Sequence, residues 1–254
     1  MENDIINYYN EYDENGRFFR DNTHQLEFIT SMTYFEKLFK EGAYILDGCA
    51  GTGNYSFKLA ELGYKVVAGD IVPHNVDIIR SKQDENPILH DIYTGSITDL
   101  SRFKNETFDI VLCMGAFYHI DSEQRKIAIS ECLRVLKNKG LLAISYINNT
   151  AIAVYNLSDR LENMDDVFNW YRNKTMDGLF LHMSPLEIEQ IAKDYKAKVV
   201  THIATDGISY LLSNKINDAY KNDFEKWVKF HLQTCEDKNL LGYSLHGLAI
   251  MEKL

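Results

Sequence analysis

Between about residue 43 and residue 147, short apolar runs alternate with stretches whose apolar residues recur at helical spacing, the pattern of repeated βαβ units around a parallel sheet. Ala43 to Asp47 (AYILD) is the first predicted strand. Tyr55, Leu59 and Leu62 then recur at i, i+4 and i+7 and define a helix that ends at Gly63. Lys65 to Asp70 (KVVAGD) is the second strand, and the helix after it starts at Pro73, where the missing N–H costs nothing, with Val76 and Ile79 inward. Ile88 to Tyr93 is predicted as the third strand. Phe108 to Met114 (FDIVLCM) is the fourth, short and nearly continuous in apolar residues, as suits a strand covered on both faces. Asp121 and Gln124 have the spacing of a capping box and open a helix with Ile129, Cys132, Leu133 and Leu136 on one face, predicted to end at Gly140. Leu141 to Ile147 (LLAISYI) completes five strands.

Beyond residue 147 the pattern loosens, and 148 to 183 reads as irregular or short helical structure. Ser184, Pro185 and Glu187 then supply the cap, first and third residues of a new helix, which turns Ile188, Ile191 and Ala192 inward. Two further strands are predicted at Ala197 to Thr205 and Tyr243 to Met251, separated by a helical insertion carrying Phe224, Trp227, Val228 and Phe230. The expected organisation is a single domain over 1–254, with a helical cap at 1–42, a core at 43–147 and lid insertions at 148–183 and 206–242.

Composition adds exclusions. With 254 residues, 45% of them hydrophobic, and only 3 Pro, the chain can bury a full core and is neither disordered nor collagen-like. The N-terminus, MENDIINYYNEY, is acidic, and no window approaches 18 uninterrupted apolar residues, so a cytoplasmic protein without a membrane span is expected. Cys49, Cys113, Cys132 and Cys235 form no CxxC pair and no zinc spacing, as expected of reduced thiols and of a protein without a bound metal. The net charge of −10 is concentrated in the predicted lids. Acidic residues outnumber basic ones nine to four in 1–42, five to three in 148–183 and six to five in 206–242. A covering surface of that sign repels a polyanion, which argues against nucleic acid as partner.

Candidate chemistry sits after the first strand, in Asp47-Gly48-Cys49-Ala50-Gly51-Thr52-Gly53, with a second acid, Asp70, closing the second strand 23 positions after Asp47. Glycines let backbone approach a ligand at a strand-to-helix turn, and an acid about twenty residues on can accept hydrogen bonds from a ribose diol. A dinucleotide fingerprint GxGxxG needs Gly at 48, 50 and 53, but position 50 is Ala, so NAD and FAD fit poorly.

The segment ILDGCAGTG resembles motif I of the class I S-adenosylmethionine-dependent methyltransferases, DxGxGxG, at Asp47, Gly51 and Gly53, with Cys49 in place of a glycine. The resemblance covers residues 43 to 147. It implies a Rossmann-like α/β fold, a seven-stranded mostly parallel sheet with helices on both faces, the last strand antiparallel. It implies S-adenosyl-L-methionine as cofactor, with Asp70 on the ribose, Ile71 on the adenine, Ser96 and Ile97 at the adenine edge, and Asp47, Gly48, Gly51, Gly53 and Met114 completing the cofactor site. FDIVLCMGAFYHI resembles the fourth motif. His119, with Tyr118 beside it, follows the fourth strand closely enough to orient or deprotonate an acceptor. His24, His182, His202 and His246 are expected to be structural or exposed. The aromatics Phe168, Trp170, Tyr171 and Phe180 are expected to pack a small subdomain. The N-terminal stretch Tyr8, Tyr9, Tyr12, Arg17, Phe18, Phe19 and Arg20 either folds over the cofactor, with one arginine meeting its carboxylate, or is a surface helix. The expected activity is methyl transfer to a small-molecule acceptor whose identity and reacting atom are not legible. The alternatives are an RNA or protein methyltransferase and a noncatalytic S-adenosylmethionine-binding regulatory module.

Overall fold

The computed structural model describes residues 2–158 and 161–254. Strands β1 (Tyr44–Asp47), β2 (Lys65–Asp70), β3 (Asp91–Thr94), β4 (Phe108–Cys113) and β5 (Leu136–Ile147) are parallel; β6 (Ala197–Ala204) and β7 (His246–Lys253) complete one sheet, in which β7 is antiparallel to both of its neighbours. The order is β3-β2-β1-β4-β5-β7-β6. Helices α1 (Glu2–Glu11) and α2 (Asn22–Leu38) precede the sheet, and α3 (Asn54–Glu61), α4 (Pro73–Glu85) and α5 (Ser122–Val135) connect its strands. Further along come α6 (Asn149–Leu157), α7 (Met164–Asn173), α8 (Pro185–Asp194), α9 (Ser213–Asn217) and α10 (Lys221–Thr234).

Alternation along the strands divides the core in two. Ile45, Val66 and Ile110 face one side with Phe35 of α2, Leu59 of α3 and Ile79 of α4. Leu46, Val67 and Val111 face the other, with Ile129 of α5 and Ile188 of α8. Because both faces are covered, each of these Val, Leu and Ile side chains contributes about 1.5–3 kcal/mol of burial, and the strands read as apolar runs. From β1 the chain builds outward to β3 and then crosses back to place β4 on the other side of β1. That reversal opens a crevice at the carboxyl ends of β1 and β4, the usual ligand position in such sheets.

Capping follows the sequence closely. Asp121 and Gln124 close a capping box on α5, Ser184 and Glu187 one on α8, and Pro73 and Pro185 occupy first turns. Several boundaries differ from expectation. Helix α5 stops at Val135 rather than at Gly140, and β5 begins at once. The strand loops out between its pairings Phe108 with Leu136 and Ile110 with Leu141, with Lys139 at φ 64. Gly140 is needed instead for closeness, since a Cβ there would lie 2.8 Å from the Asp109 carbonyl oxygen. The third strand starts at Asp91 rather than Ile88, because the Gln83 side chain donates to the Leu89 carbonyl and accepts from its N–H. The last strand starts at His246, since the Ser244 hydroxyl is committed to receiving the N–H groups of Asp206 and Gly207.

The 206–242 segment packs along α2: Asn22 donates to the Ile216 carbonyl at 2.8 Å and the Tyr34 hydroxyl to Glu236 at 2.5 Å. The 148–183 segment reaches the end of β4, where the Leu181 N–H donates to the Tyr118 carbonyl at 2.7 Å. Among the described residues no helix is long and apolar enough to cross a membrane.

Candidate active site

The turn after β1 is built on two left-handed glycines, Gly51 at φ 54 and Gly53 at φ 86, conformations in which a side chain is strained. At Gly48 a Cβ would lie 2.4 Å from Cδ1 of Ile97, so the end of that side chain fills the space a larger residue would take. Asp47 lies beneath the turn, fully buried, its Oδ2 accepting from the Ser56 hydroxyl at 2.6 Å. Burial pushes its carboxyl up to about 7, against the pull of the Ser56 hydrogen bond.

Asp70 ends β2 and joins the turn to it. The Gly51 N–H donates to Oδ2 at 2.8 Å; the Val72 N–H and the Asn75 side-chain amide donate to Oδ1 at 2.9 and 3.3 Å. Burial raises its carboxyl to about 6 even against these three donors. Oδ1 is filled by two donors, but Oδ2 accepts only one and keeps capacity for a further hydrogen bond, which a ribose hydroxyl can supply. The rest of the pocket is formed by Ile71, Val72, Gly95, Ser96 and Ile97 on one side and by Met114, Gly115, Ala116, Tyr118, His119 and Ile120 on the other. Ser96 uses its hydroxyl locally, 2.7 Å from that of Thr98.

His119 is buried. Its Nδ1 lies 3.1 Å from the Leu179 carbonyl oxygen, which can only accept, so Nδ1 carries the ring proton and Nε2 accepts from the Tyr9 hydroxyl at 2.9 Å. Burial lowers its pKa to about 4, so the imidazole is neutral at physiological pH. Tyr118 stacks on Phe180 and meets His119 edge-on.

The fourth wall comes from the N-terminal segment through Ile5, Tyr9, Glu14 and Arg17. Arg17 bonds Glu27 at 2.5 Å and lies 3.8 Å from Glu14, so the cation is buried between two carboxylates. Burial raises Glu14 to about 7, more than Arg17 lowers it. Behind Glu27 the chain of charges continues to His246 at 3.7 Å and from there to Asp206 at 2.7 Å.

Of the residues singled out in the sequence, Gly48, Gly51, Asp70, Ile71, Ser96, Ile97, Met114, Tyr118 and His119 line this pocket. Asp47 and Gly53 lie behind it and shape the turn. Glu14, Asn75 and Ile120 also line it and carried no signal of their own. Tyr9 and Arg17 stood in the aromatic and basic N-terminal stretch, where only the pairing with His119 and Glu27 was not legible. Among the described residues, no group of three or more His, Cys, Asp or Glu is placed to hold a metal ion.

Residues 46–144 match the methyltransferase domain family. A ubiquinone biosynthesis O-methyltransferase of Xanthomonas oryzae pv. oryzae is 34% identical over 112 residues, 44% of this chain and 46% of that one. The chain thus spans about half the length of the curated relatives it matches. Magnesium protoporphyrin IX methyltransferase from Synechocystis PCC 6803, solved with bound SAH, superposes with a TM-score of 0.63 at 14% identity, covering 100% of both chains. A SAM-dependent methyltransferase from Methanosarcina mazei gives 0.60 at 16% identity, covering 87% of this chain and 97% of that one. Residues 46–144 thus match the methyltransferase domain family, and the chain as a whole shares the fold of these solved S-adenosylmethionine-dependent methyltransferases.

Proposed function

We propose that the protein transfers a methyl group from S-adenosylmethionine to a small-molecule acceptor, and that it works in the cytoplasm. The reading rests above all on one arrangement: the Gly51 turn and Asp70, hydrogen-bonded together at the β1–β4 crevice, beside an apolar, histidine-bearing wall. When bound, S-adenosylmethionine supplies a methyl carbon already activated by its sulfonium. Asp70 would hold the ribose hydroxyls, Ile71 and Ile97 would flank the adenine, and Arg17 with Glu14 would face the amino acid end. Met114 would complete the cofactor site, and Tyr118 and His119, with Ile120, would border the acceptor. Their work is to exclude water and align the nucleophile, a proximity effect worth up to roughly 7–11 kcal/mol.

A small acceptor is supported by the enclosure of the pocket under the N-terminal segment. It is also supported by the relatives named for ubiquinone and magnesium protoporphyrin methylation. The acidic excess of the N-terminal segment that walls the pocket, nine acidic against four basic residues in 1–42, weighs against RNA. The test is incubation of the full chain with methyl-labelled S-adenosylmethionine and the small-molecule fraction of a cell extract. Label in a small product, with S-adenosylhomocysteine formed in equal amount, is expected. Tight S-adenosylhomocysteine binding with no transfer to any fraction would replace this reading with that of a binding module.

A further inference from the structure

The Tyr9 hydroxyl and the His119 ring are 110 residues apart in sequence, on different elements, and meet at 2.9 Å inside the pocket. Three observations bear on that contact. First, the ring is held from its far side: Nδ1–H donates to the Leu179 carbonyl, which fixes the tautomer and leaves Nε2 as the only basic nitrogen, aimed at Tyr9. Second, Tyr9 is clamped by aromatic neighbours, with Tyr8 at 5.1 Å, Tyr12 at 6.0 Å and the His119 ring at 5.5 Å, all edge-on, so its hydroxyl has little freedom to leave. Third, both residues line the pocket next to Ile5 and Ile120, so the dyad is a polar spot in an otherwise apolar stretch of wall.

We propose that Tyr9 is a catalytic residue that relays the acceptor's proton to His119, which selects acceptors whose nucleophile is an uncharged hydroxyl or amine still bearing its proton. The inference rests on the methyl-transfer reading above. As the bond from the acceptor atom to the methyl carbon forms and the carbon–sulfonium bond breaks, the acceptor's proton passes to the Tyr9 oxygen and the Tyr9 proton to Nε2 of His119. The products are methylated acceptor, S-adenosylhomocysteine and a protonated imidazole, which then releases its proton to solvent.

The relay explains why neither group acts alone. Burial holds the Tyr9 phenol well above its usual range, so it is a poor phenolate but a competent hydrogen-bond bridge. A buried imidazole is a weak resting base, yet the positive charge that appears on it replaces the one that disappears from the sulfonium, so the pocket's net charge does not change. The other titratable groups facing the pair are Tyr118, Glu14, Arg17 and Asp70 around Tyr9, and Asp177 around His119.

The experiment compares full-length wild type, Tyr9→Phe, His119→Gln and the double variant. Each is given saturating labelled S-adenosylmethionine and the same small-molecule extract fraction, from about pH 6 to about pH 9, and S-adenosylhomocysteine affinity is measured by calorimetry. Tyr9→Phe is expected to lose about 10²-fold or more in rate at neutral pH, in the range of general acid–base catalysis, with unchanged S-adenosylhomocysteine affinity. Its rate should climb with pH as solvent takes over deprotonation, while the wild-type rate stays flat. The double variant should be no slower than either single one, since one relay is cut once. Equal rates and pH profiles for wild type and Tyr9→Phe would overturn the proposal, as would a rate loss matched by a proportional loss of S-adenosylhomocysteine affinity, the mark of a lid strut. Absence of transfer by the wild type would overturn this inference and the functional reading together, whereas wild-type transfer with an unaffected Tyr9→Phe removes the relay alone.

Discussion

The backbone N–H of Gly51 donates to Oδ2 of Asp70 at 2.8 Å, so the glycine turn after β1 and the acid that ends β2 are one hydrogen-bonded unit. Asp70 therefore has two tasks: it holds the turn in its left-handed conformation, and it keeps acceptor capacity for a ligand.

Asp70→Ala is expected to weaken S-adenosylhomocysteine binding by about 1.5–3 kcal/mol, the range for a hydrogen bond to a charged group. Loss of three backbone and side-chain bonds should also lower the melting temperature of the unliganded protein, whereas Asp70→Asn, which keeps an acceptor for one side, should recover part of the stability. Calorimetric titration of both variants checks it. Unchanged affinity in folded Asp70→Ala would take the ribose away from this carboxylate.

Gly51→Val should abolish binding without unfolding the chain. At φ 54 a β-branched residue is strained, and the new Cβ would sit 3.2 Å from the Glu14 side chain. Since a ligand stabilises only the state it binds, the melting temperature of this variant should stop responding to S-adenosylhomocysteine. A full ligand-induced shift would place the binding site elsewhere.

Much of this unit was legible because local rules act alone there. Apolar runs bounded by turns, a glycine cluster, an acid at a strand end, and the capping boxes at Asp121 and Ser184 are decided within a few residues of chain. What escaped was decided at a distance. Gly140 reads as a helix stop from its neighbours, but its role is set by the Asp109 carbonyl on the adjacent strand. Ile88 reads as strand, but Gln83 on α4 captures the backbone of Leu89. Glu14 looks like one more solvated acid in an acidic N-terminus. Arg17 stands three residues away in the chain, but only the fold brings Glu14 to the glycine turn.

Gly69 makes a prediction about the sheet itself. A Cβ at this position in β2 would lie 2.1 Å from the Tyr93 ring, which lies against the strand from β3. Gly69→Ala should therefore cost about 1–3 kcal/mol of stability through overpacking, despite alanine's better fit to an ordered backbone. Denaturant unfolding measures it, and Tyr93→Leu in the same chain should return part of the loss. A Gly69→Ala protein as stable as wild type would mean that the ring moves aside at no cost.

A chain of charges runs behind Arg17, from Glu27 to His246 and Asp206. Burial alone would push the His246 imidazole down, but the carboxylates of Glu27 and Asp206 outweigh it, and Arg17 opposes them only in part, so its pKa rises above the usual 6.5. Asp206 moves the other way: burial would raise it, but His246 and the Ser244 hydroxyl hold it below the usual 3.8. A raised histidine contributes stability that is fully present below 6.5 and is lost as pH rises through its folded value. A depressed aspartate contributes stability that is present above 3.8 and is lost as pH falls through its folded value. The pair therefore stabilises most between those two pH values. His246→Gln preserves a donor toward Asp206 but removes the titrating charge, so the wild type should exceed it by about 1.5–3 kcal/mol near pH 5, a gap that closes as pH rises well past 6.5. Unfolding both proteins across this range decides the point. A stability gap independent of pH would show that the ring stabilises by packing and hydrogen bonding alone, and that Glu27 is free to hold Arg17 without a charged partner behind it.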